Sequence, residues 1–261
     1  MKKLQQYQVD AFTDKLFGGN PAAVVPLEEW LADDLMQKIA SENNLAETVF
    51  FVKENNGYRI RWFTPEVEVE LCGHATLASA FVLFNCLGFK GDKIEFQSLS
   101  GLLTVKKYGE MLTLDFPASP LTPTELRADV ALALGIEPVE LFWHKNDLVA
   151  IFKSQKEIEN LQPDFEALKK ISKHGVITTA PGNDVDFVSR CFFPSSGVKE
   201  DPVTGSAHTK FTPYWAARLG KPKLKAKQIS KRGGDLICEL AGDRVLMSGN
   251  ARLYMIGEIY V

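Results

Sequence analysis

Three short stretches of this chain carry the side chains that could move a proton. Asn44-Leu45-Ala46-Glu47-Thr48 sets one glutamate just ahead of the apolar run Val49-Phe50-Phe51-Val52. If that run is a strand, Glu47 stands at its start, where partial desolvation makes a carboxylate a better proton shuttle near neutral pH. Cys72-Gly73-His74-Ala75-Thr76 leads into an apolar, alanine-rich segment that reads as a helix. A helix start leaves backbone N–H groups without intrahelical partners and carries the positive end of the dipole, so Gly73 and His74 lie at a ready anion site. That dipole disfavours an imidazolium and predicts a neutral His74 that donates a hydrogen bond or relays a proton. It also lowers thiol pKa values, which makes Cys72 a thiolate base or nucleophile in reserve. The third stretch, Asp201-Pro-Val-Thr-Gly-Ser-Ala-His208, brings Asp201, Thr204, Gly205 and Ser206 to the mouth of a second helix. Each stretch also has a plainer reading: a solvated glutamate, a packed histidine, a capping cluster.

The second and third stretches repeat one plan. Aligning Gly73 with Gly205 brings Arg61-x-Phe63-x-Pro65 close to Arg190-x-Phe192-x-Pro194, with three residues inserted in the second copy. Thr204 then falls where Cys72 stands, so a two-cysteine racemase mechanism lacks its second thiol. Arg61 and Arg190 could hold a substrate carboxylate, but each lies inside an expected strand, where structural ion pairing is the ordinary role. Gly18-Gly19-Asn20-Pro21 reads as a turn that could bring backbone close to a ligand.

The elements that must position these groups are mostly strands. Residues 5–12, 22–25, 45–52 and 58–63 have strand patterns, and Leu31 to Asn43 has helical spacing stopped by Asn43-Asn44. Strands follow at 93–97, 102–108 and 111–116, with Gly109-Glu110 as a hairpin turn. Pro117, Pro120 and Pro123 then mark a domain boundary. Beyond it, Phe142 to Phe152 reads as one strand, Thr209 to Arg218 as the second central helix, and Lys227 to Lys231 as the first closing strand. The domains expected are residues 1–117, completed by a C-terminal strand 251–261, and residues 118–250. The class is α+β, with one long helix per half rather than alternating βαβ.

Composition narrows the functions. A chain of 261 residues can bury one large or two medium cores, and a net charge of −3 gives no field that favours nucleic acid or an anionic membrane. No run of 18 apolar residues and no signal peptide is evident, so a cytoplasmic home is the expectation. The four cysteines and four histidines are scattered, which predicts free thiols and no metal site.

Taken together, the motifs resemble the phenazine biosynthesis PhzF-like family, within the diaminopimelate epimerase-like fold. The matching pieces are Gln8-Val9-Asp10-Ala11-Phe12 with Gly19-Asn20-Pro21-Ala22, then Asn44-Leu45-Ala46-Glu47-Thr48, Arg61-Trp62-Phe63-Thr64-Pro65, Cys72-Gly73-His74-Ala75-Thr76 and Asp201 to His208, with Gly249-Asn250-Ala251 at the end. The resemblance implies two similar domains, each a β-barrel-like sheet wrapped around a central helix, with the active site in the cleft between them. It implies no cofactor, a small-molecule carboxylate substrate and a homodimer. Carried over residue by residue, it makes Glu47, His74, Asp201 and Ser206 catalytic; Gly73, Gly205, Asn20, Cys72 and Thr204, at the two helix mouths and the Gly18–Pro21 turn, are the substrate-binding residues expected beside them. The function implied is a cofactor-independent isomerase that works by acid/base proton transfer. The alternatives are a non-catalytic carboxylate- or protein-binding member, and a Cys72-assisted racemase or epimerase.

Overall fold

A computed structural model describes every residue, Met1–Val261. Its elements in chain order are β1 (Lys3–Ala11), β2 (Asn20–Leu27), α1 (Asp33–Asn43), β3 (Glu47–Glu54), β4 (Gly57–Phe63), β5 (Glu68–Val69), α2 (Gly73–Asn85), β6 (Lys93–Ser98), β7 (Gly101–Tyr108) and β8 (Met111–Pro117). There follow β9 (Thr122–Thr124), α3 (Ala128–Leu134), β10 (Glu140–His144), β11 (Asp147–Ile151), α4 (Gln155–Glu159), α5 (Phe165–Ile171), β12 (Gly175–Pro181) and β13 (Phe187–Phe193). The chain closes with β14 (Val198–Asp201), α6 (Gly205–Leu219), β15 (Lys223–Gln228), β16 (Gly234–Ala241), β17 (Arg244–Gly249) and β18 (Ala251–Tyr260). Two compact units result, one of residues 1–115 with 248–261 and one of residues 116–247. The class is α+β, and the two units share one plan.

In the first unit β18, β1, β2, β3, β4, β6 and β7 pair in that order, with β8 beyond β7. The β2/β3 and β4/β6 pairs are parallel and the others antiparallel. The sheet wraps α2, which touches β1, β2, β3, β7 and β18. The sequence of α2, GHATLASAFVLFN, is apolar nearly all round, as a central helix must be. Its Leu77, Val82, Leu83 and Phe84 are buried, each worth about 1.5–3 kcal/mol against exposure. Its two buried hydroxyls cost little, because Thr76 Oγ1 donates to the Cys72 carbonyl and Ser79 Oγ to that of Ala75.

The second unit runs β9, β10, β11, β12, β13, β15, β16, and repeats the order of senses seen in the first. Here β11/β12 and β13/β15 are the parallel pairs. Its central helix α6 packs on β15 and β16 and buries Phe211, Trp215 and Ala216. Pro213 inside α6 has no N–H to give the Thr209 carbonyl one turn back. Ser119 N–H donates to that carbonyl instead, at 3.1 Å, so the helix tolerates the proline.

The repeated Arg-x-Phe motifs serve the same purpose in each unit. Arg61 holds Glu68 through Nε and Nη2 at 2.8 and 2.7 Å, and Arg190 holds Glu200 through the same nitrogens at 2.7 and 3.0 Å. Each guanidinium also lies over the phenylalanine two residues on, 5.2 Å from the ring centre of Phe63 or Phe192. Glu68 and Glu200 both stand five residues before the helical glycine. The forks thus tie down the short strands β5 and β14 that feed the two helices, and both arginines are structural.

Two expected strands need correction. Phe142–Phe152 is not continuous: β10 and β11 form a hairpin, with Lys145 at φ 52° in its turn. The charged and amide residues Lys145-Asn146-Asp147 interrupt the apolar run there. The closing strand after α6 covers Lys223–Gln228 rather than Lys227–Lys231, because Leu224, Ala226 and Gln228 alternate inward against outward lysines. No helix is long and apolar enough to cross a membrane.

Candidate active site

In the first unit, backbone geometry brings three separate stretches to one point. Asn44 caps α1 in the left-handed conformation at φ 48°, and this reverses the chain into β3. Asn43 Nδ2 donates to Thr48 Oγ1 at 3.0 Å, and so fixes the start of β3, where Glu47 is the first residue. β2 lies beside β3 in parallel, with Ala22 opposite Glu47, so Asn20 at the start of β2 is close by. Gly19 makes that approach possible: at φ +62° a Cβ there would stand 2.2 Å from the Ala11 carbonyl oxygen.

Cys72 is the N-cap of α2 and has no side-chain capping bond, while Gly73 and His74 open the helix. His74 Nε2 lies 3.0 Å from Glu47 Oε2, with side-chain exposures of only 5% and 17%. This is an ion-pair contact rather than an in-line hydrogen bond. On the other side of the ring, Nδ1 is 3.1 Å from Asn20 Nδ2 and 3.5 Å from Cys72 Sγ. Thiol, imidazole and carboxylate therefore stand in a row. They offer ligand atoms within 4.8 Å of one another, a convergence invisible in the sequence spacing. The thiol meets Nδ1 and the carboxylate Nε2, on opposite sides of the ring.

Electrostatics overturn two expectations. The Cys72 thiol is not activated: burial and the nearby Glu47 carboxylate push its pKa up to about 11, against weaker help from His74 and the Ala75 N–H. Nor does the helix dipole keep His74 neutral. Burial works against the imidazolium, but Cys72 and Glu47 outweigh it and hold the His74 pKa well above the usual histidine value. Since the thiol itself stays protonated at neutral pH, the Glu47 carboxylate is the partner that does this.

At the α6 mouth Thr204 is the N-cap, Gly205 and Ser206 are the first helical residues, and Asp201 ends β14. Thr204 Oγ1 donates to Asp201 Oδ2. Gln228 locks this turn: it accepts from Thr204 N–H at 2.8 Å and donates to the Asp201 carbonyl at 2.7 Å. The sequence reading passed over Gln228, yet it is the one polar residue at an inward position of β15. His208 is fully buried and donates Nδ1–H to the Thr204 carbonyl at 2.8 Å, just as Thr76 does to Cys72 in the first unit. Burial pushes its pKa down to about 4. Behind the mouth, buried Lys210 donates to the Ser206 carbonyl at 2.9 Å and pairs with Asp147 at 3.0 Å. Burial would raise the Asp147 pKa, but His174 and Lys210 bring it below the usual carboxylate range. All four cysteines are free thiols, and Cys191 at this end is also held protonated by burial.

Comparison with known proteins places this geometry in a family context. The family model described as phenazine biosynthesis-like protein matches residues 9–257. An uncharacterized isomerase of Pseudomonas aeruginosa is 51% identical over 98% of this chain and 98% of its own. The crystal structure of a phenazine biosynthesis protein of the PhzF family from Enterococcus faecalis superposes with a TM-score of 0.97 at 47% identity, covering 100% of both chains. A hydroxyproline epimerase from Agrobacterium vitis, solved with trans-4-hydroxy-L-proline bound, shares the fold at a TM-score of 0.63 and 10% identity, over 98% of this chain and 92% of that one.

Proposed function

We propose that this chain, which belongs to the phenazine biosynthesis-like family of PhzF proteins, is a cofactor-independent isomerase that shifts a carbon-bound proton in a small cyclic or amino-acid-like carboxylate. The observation that carries the reading is the buried Glu47–His74 pair at the mouth of α2, 3.0 Å apart. Relatives named as isomerases, and a hydroxyproline epimerase of the same fold, support the reaction class and the kind of substrate.

Glu47 acts as the base that removes the proton and the acid that returns it. One carboxylate serves both steps when it reaches both carbons from one face of the substrate, so no second thiol is needed. His74 stabilises the carboxylate and can take a proton from it. Backbone N–H groups of Gly73 and the first turn of α2, with the dipole behind them, are suited to the substrate carboxylate. Asp201 and Ser206, supported by Thr204, are proposed to bind its remaining polar groups. In this reading Cys72, whose thiol is held protonated by burial and the Glu47 carboxylate, is a neighbour of His74 and Glu47 is the base. A homodimer in the cytoplasm is the setting this proposal takes.

The test is solvent-deuterium incorporation into a panel of cyclic and amino-acid carboxylates, comparing the wild type with Glu47→Gln. The variant keeps shape and polarity but cannot titrate, so exchange should fall by about 10²–10⁴-fold. Exchange at the wild-type rate in Glu47→Gln would remove Glu47 as the base.

A further inference from the structure

The second unit holds a buried pair of opposite charges that its fold does not need. Lys210, in α6, and Asp147, the first residue of β11, are 5% and 6% exposed, and Nζ and Oδ2 stand 3.0 Å apart. Asp147 Oδ1 also accepts from His174 Nδ1, just ahead of β12. Two apolar side chains of similar volume often fill such a place equally well or better, because both charges are stripped of water. The first unit shows that the plan does without the lysine. Aligning Gly73 with Gly205 puts Ala78 of α2 at the place of Lys210, and Ala78 is completely buried. Strands β2 and β3 correspond to β11 and β12, as the first parallel pair of each sheet. Asn20 and Glu47, which begin β2 and β3, flank His74, the second residue of α2. Asp147 and His174 stand at the same end of β11 and β12, and the lysine paired with Asp147 reaches Ser206, the second residue of α6.

Lys210 Nζ donates to the Ser206 carbonyl at 2.9 Å, and Thr209 Oγ1 donates to the same oxygen at 2.8 Å. That carbonyl belongs to the first turn of α6, which has no side-chain cap, because Thr204 Oγ1 is spent on Asp201. The N–H groups of the turn are left open, and Ser206 is only half-buried. An uncapped helix end frays unless something else holds it. We propose that Lys210, anchored by Asp147, is a positioning residue for Ser206: its ammonium pins the Ser206 carbonyl from inside, so the Ser206 hydroxyl and the free N–H groups of the first turn keep one orientation with no protein group covering them. A side-chain cap would give the same rigidity, but it would occupy the N–H groups that a ligand needs. The first turn of α2 has no such ammonium, and its second residue is the paired His74 instead.

The inference rests on the reading of Ser206 as a substrate-binding residue, but its first test needs no substrate. Lys210→Met combined with Asp147→Leu replaces the ion pair by apolar side chains, and His174, half exposed, turns to water. Amide hydrogen exchange, read residue by residue by NMR, reports on the first turn. The amides at positions 209 and 210 close its hydrogen bonds to Gly205 and Ser206. Their protection should fall about tenfold or more relative to that of Trp215 and Ala216, later in the same helix. A ratio within about twofold of the wild type overturns the proposal. Should the double variant not fold, Lys210→Met alone, in which His174 still holds Asp147, is read in the same way. The second test takes a carboxylate found by Glu47-dependent deuterium exchange: the variant should raise KM about tenfold while kcat falls less, as loss of an oriented binding group does. An unchanged KM overturns the proposal as well. Failure of the isomerase reading looks different: no carboxylate shows Glu47-dependent exchange, while the loss of protection at positions 209 and 210 stands.

Discussion

Lowering the pH from 7 to 4 should destabilise this protein through a residue distant in sequence from Glu47. His208 is completely buried, its ring lies 5.8 Å from that of Phe187 and 5.7 Å from that of Phe211, and Nδ1–H is committed to the Thr204 carbonyl. Its Nε2 has no partner, so protonation would put an N–H and a positive charge among aromatic rings. The folded pKa of about 4 lies below the unfolded value of 6.5. Between these values the unfolded chain binds a proton that the native protein refuses. The stabilisation is therefore fully present above pH 6.5 and lost as pH falls toward 4. A gap of about 2.5 units at 1.36 kcal/mol each gives about 3 kcal/mol. The assay is urea denaturation at closely spaced pH values, with His208→Asn as the reference. Asparagine can keep an N–H on the Thr204 carbonyl but does not titrate. It should be less stable at every pH, because ring contacts are lost, yet its stability should fall about 3 kcal/mol less across this window. Carboxylates with depressed pKa values, such as Asp147 and Asp186, contribute equally to both proteins and drop out of the difference. Parallel curves for the two proteins would refute the reasoning.

Three further outcomes follow from the same geometry. His74 works in the opposite sense to His208: its raised pKa gives stability that is complete below pH 6.5 and lost as pH rises through the folded value, so His74→Gln should flatten the alkaline limb of the same denaturation series. Cys72, with its pKa at about 11, should resist iodoacetamide in the folded protein near neutral pH and react on unfolding, as read by mass spectrometry; rapid labelling of the native protein would contradict its assignment as a protonated neighbour. Gln228→Leu removes the acceptor of the buried Thr204 N–H, and should cost about 1–3 kcal/mol in denaturation experiments.

Much of this could be read from the chain itself, because the relevant patterns are local. The duplicated plan is visible in two Arg-x-Phe-x-Pro strands and two glycine-led helix mouths. Alternation and helical spacing are properties of neighbours within a few residues of one another. Glu47 is identifiable as lying at the entry of a strand because the asparagines before it stop a helix and the apolar run after it starts at once. Where two patterns overlap, the sequence misleads: Phe142–Phe152 is apolar enough for one strand until Lys145 turns it, and the lysines of β15 hide its inward Leu224, Ala226 and Gln228.

The partners of these groups are another matter. Asn20 is 54 residues from His74, and Gln228 is 24 from Thr204, distances over which no spacing rule operates. Only the packing of α2 on β2, and of α6 on β15, brings them together. The sign of each pKa shift was decided there too. A helix dipole is legible in sequence, and from it alone Cys72 should be acidic and His74 neutral. Tertiary packing removes water from both and sets one carboxylate 3.0 Å from the imidazole. A full charge at that distance, in a site from which water is excluded, outweighs the partial charge of a helix end, and burial penalises the thiolate that the dipole would favour.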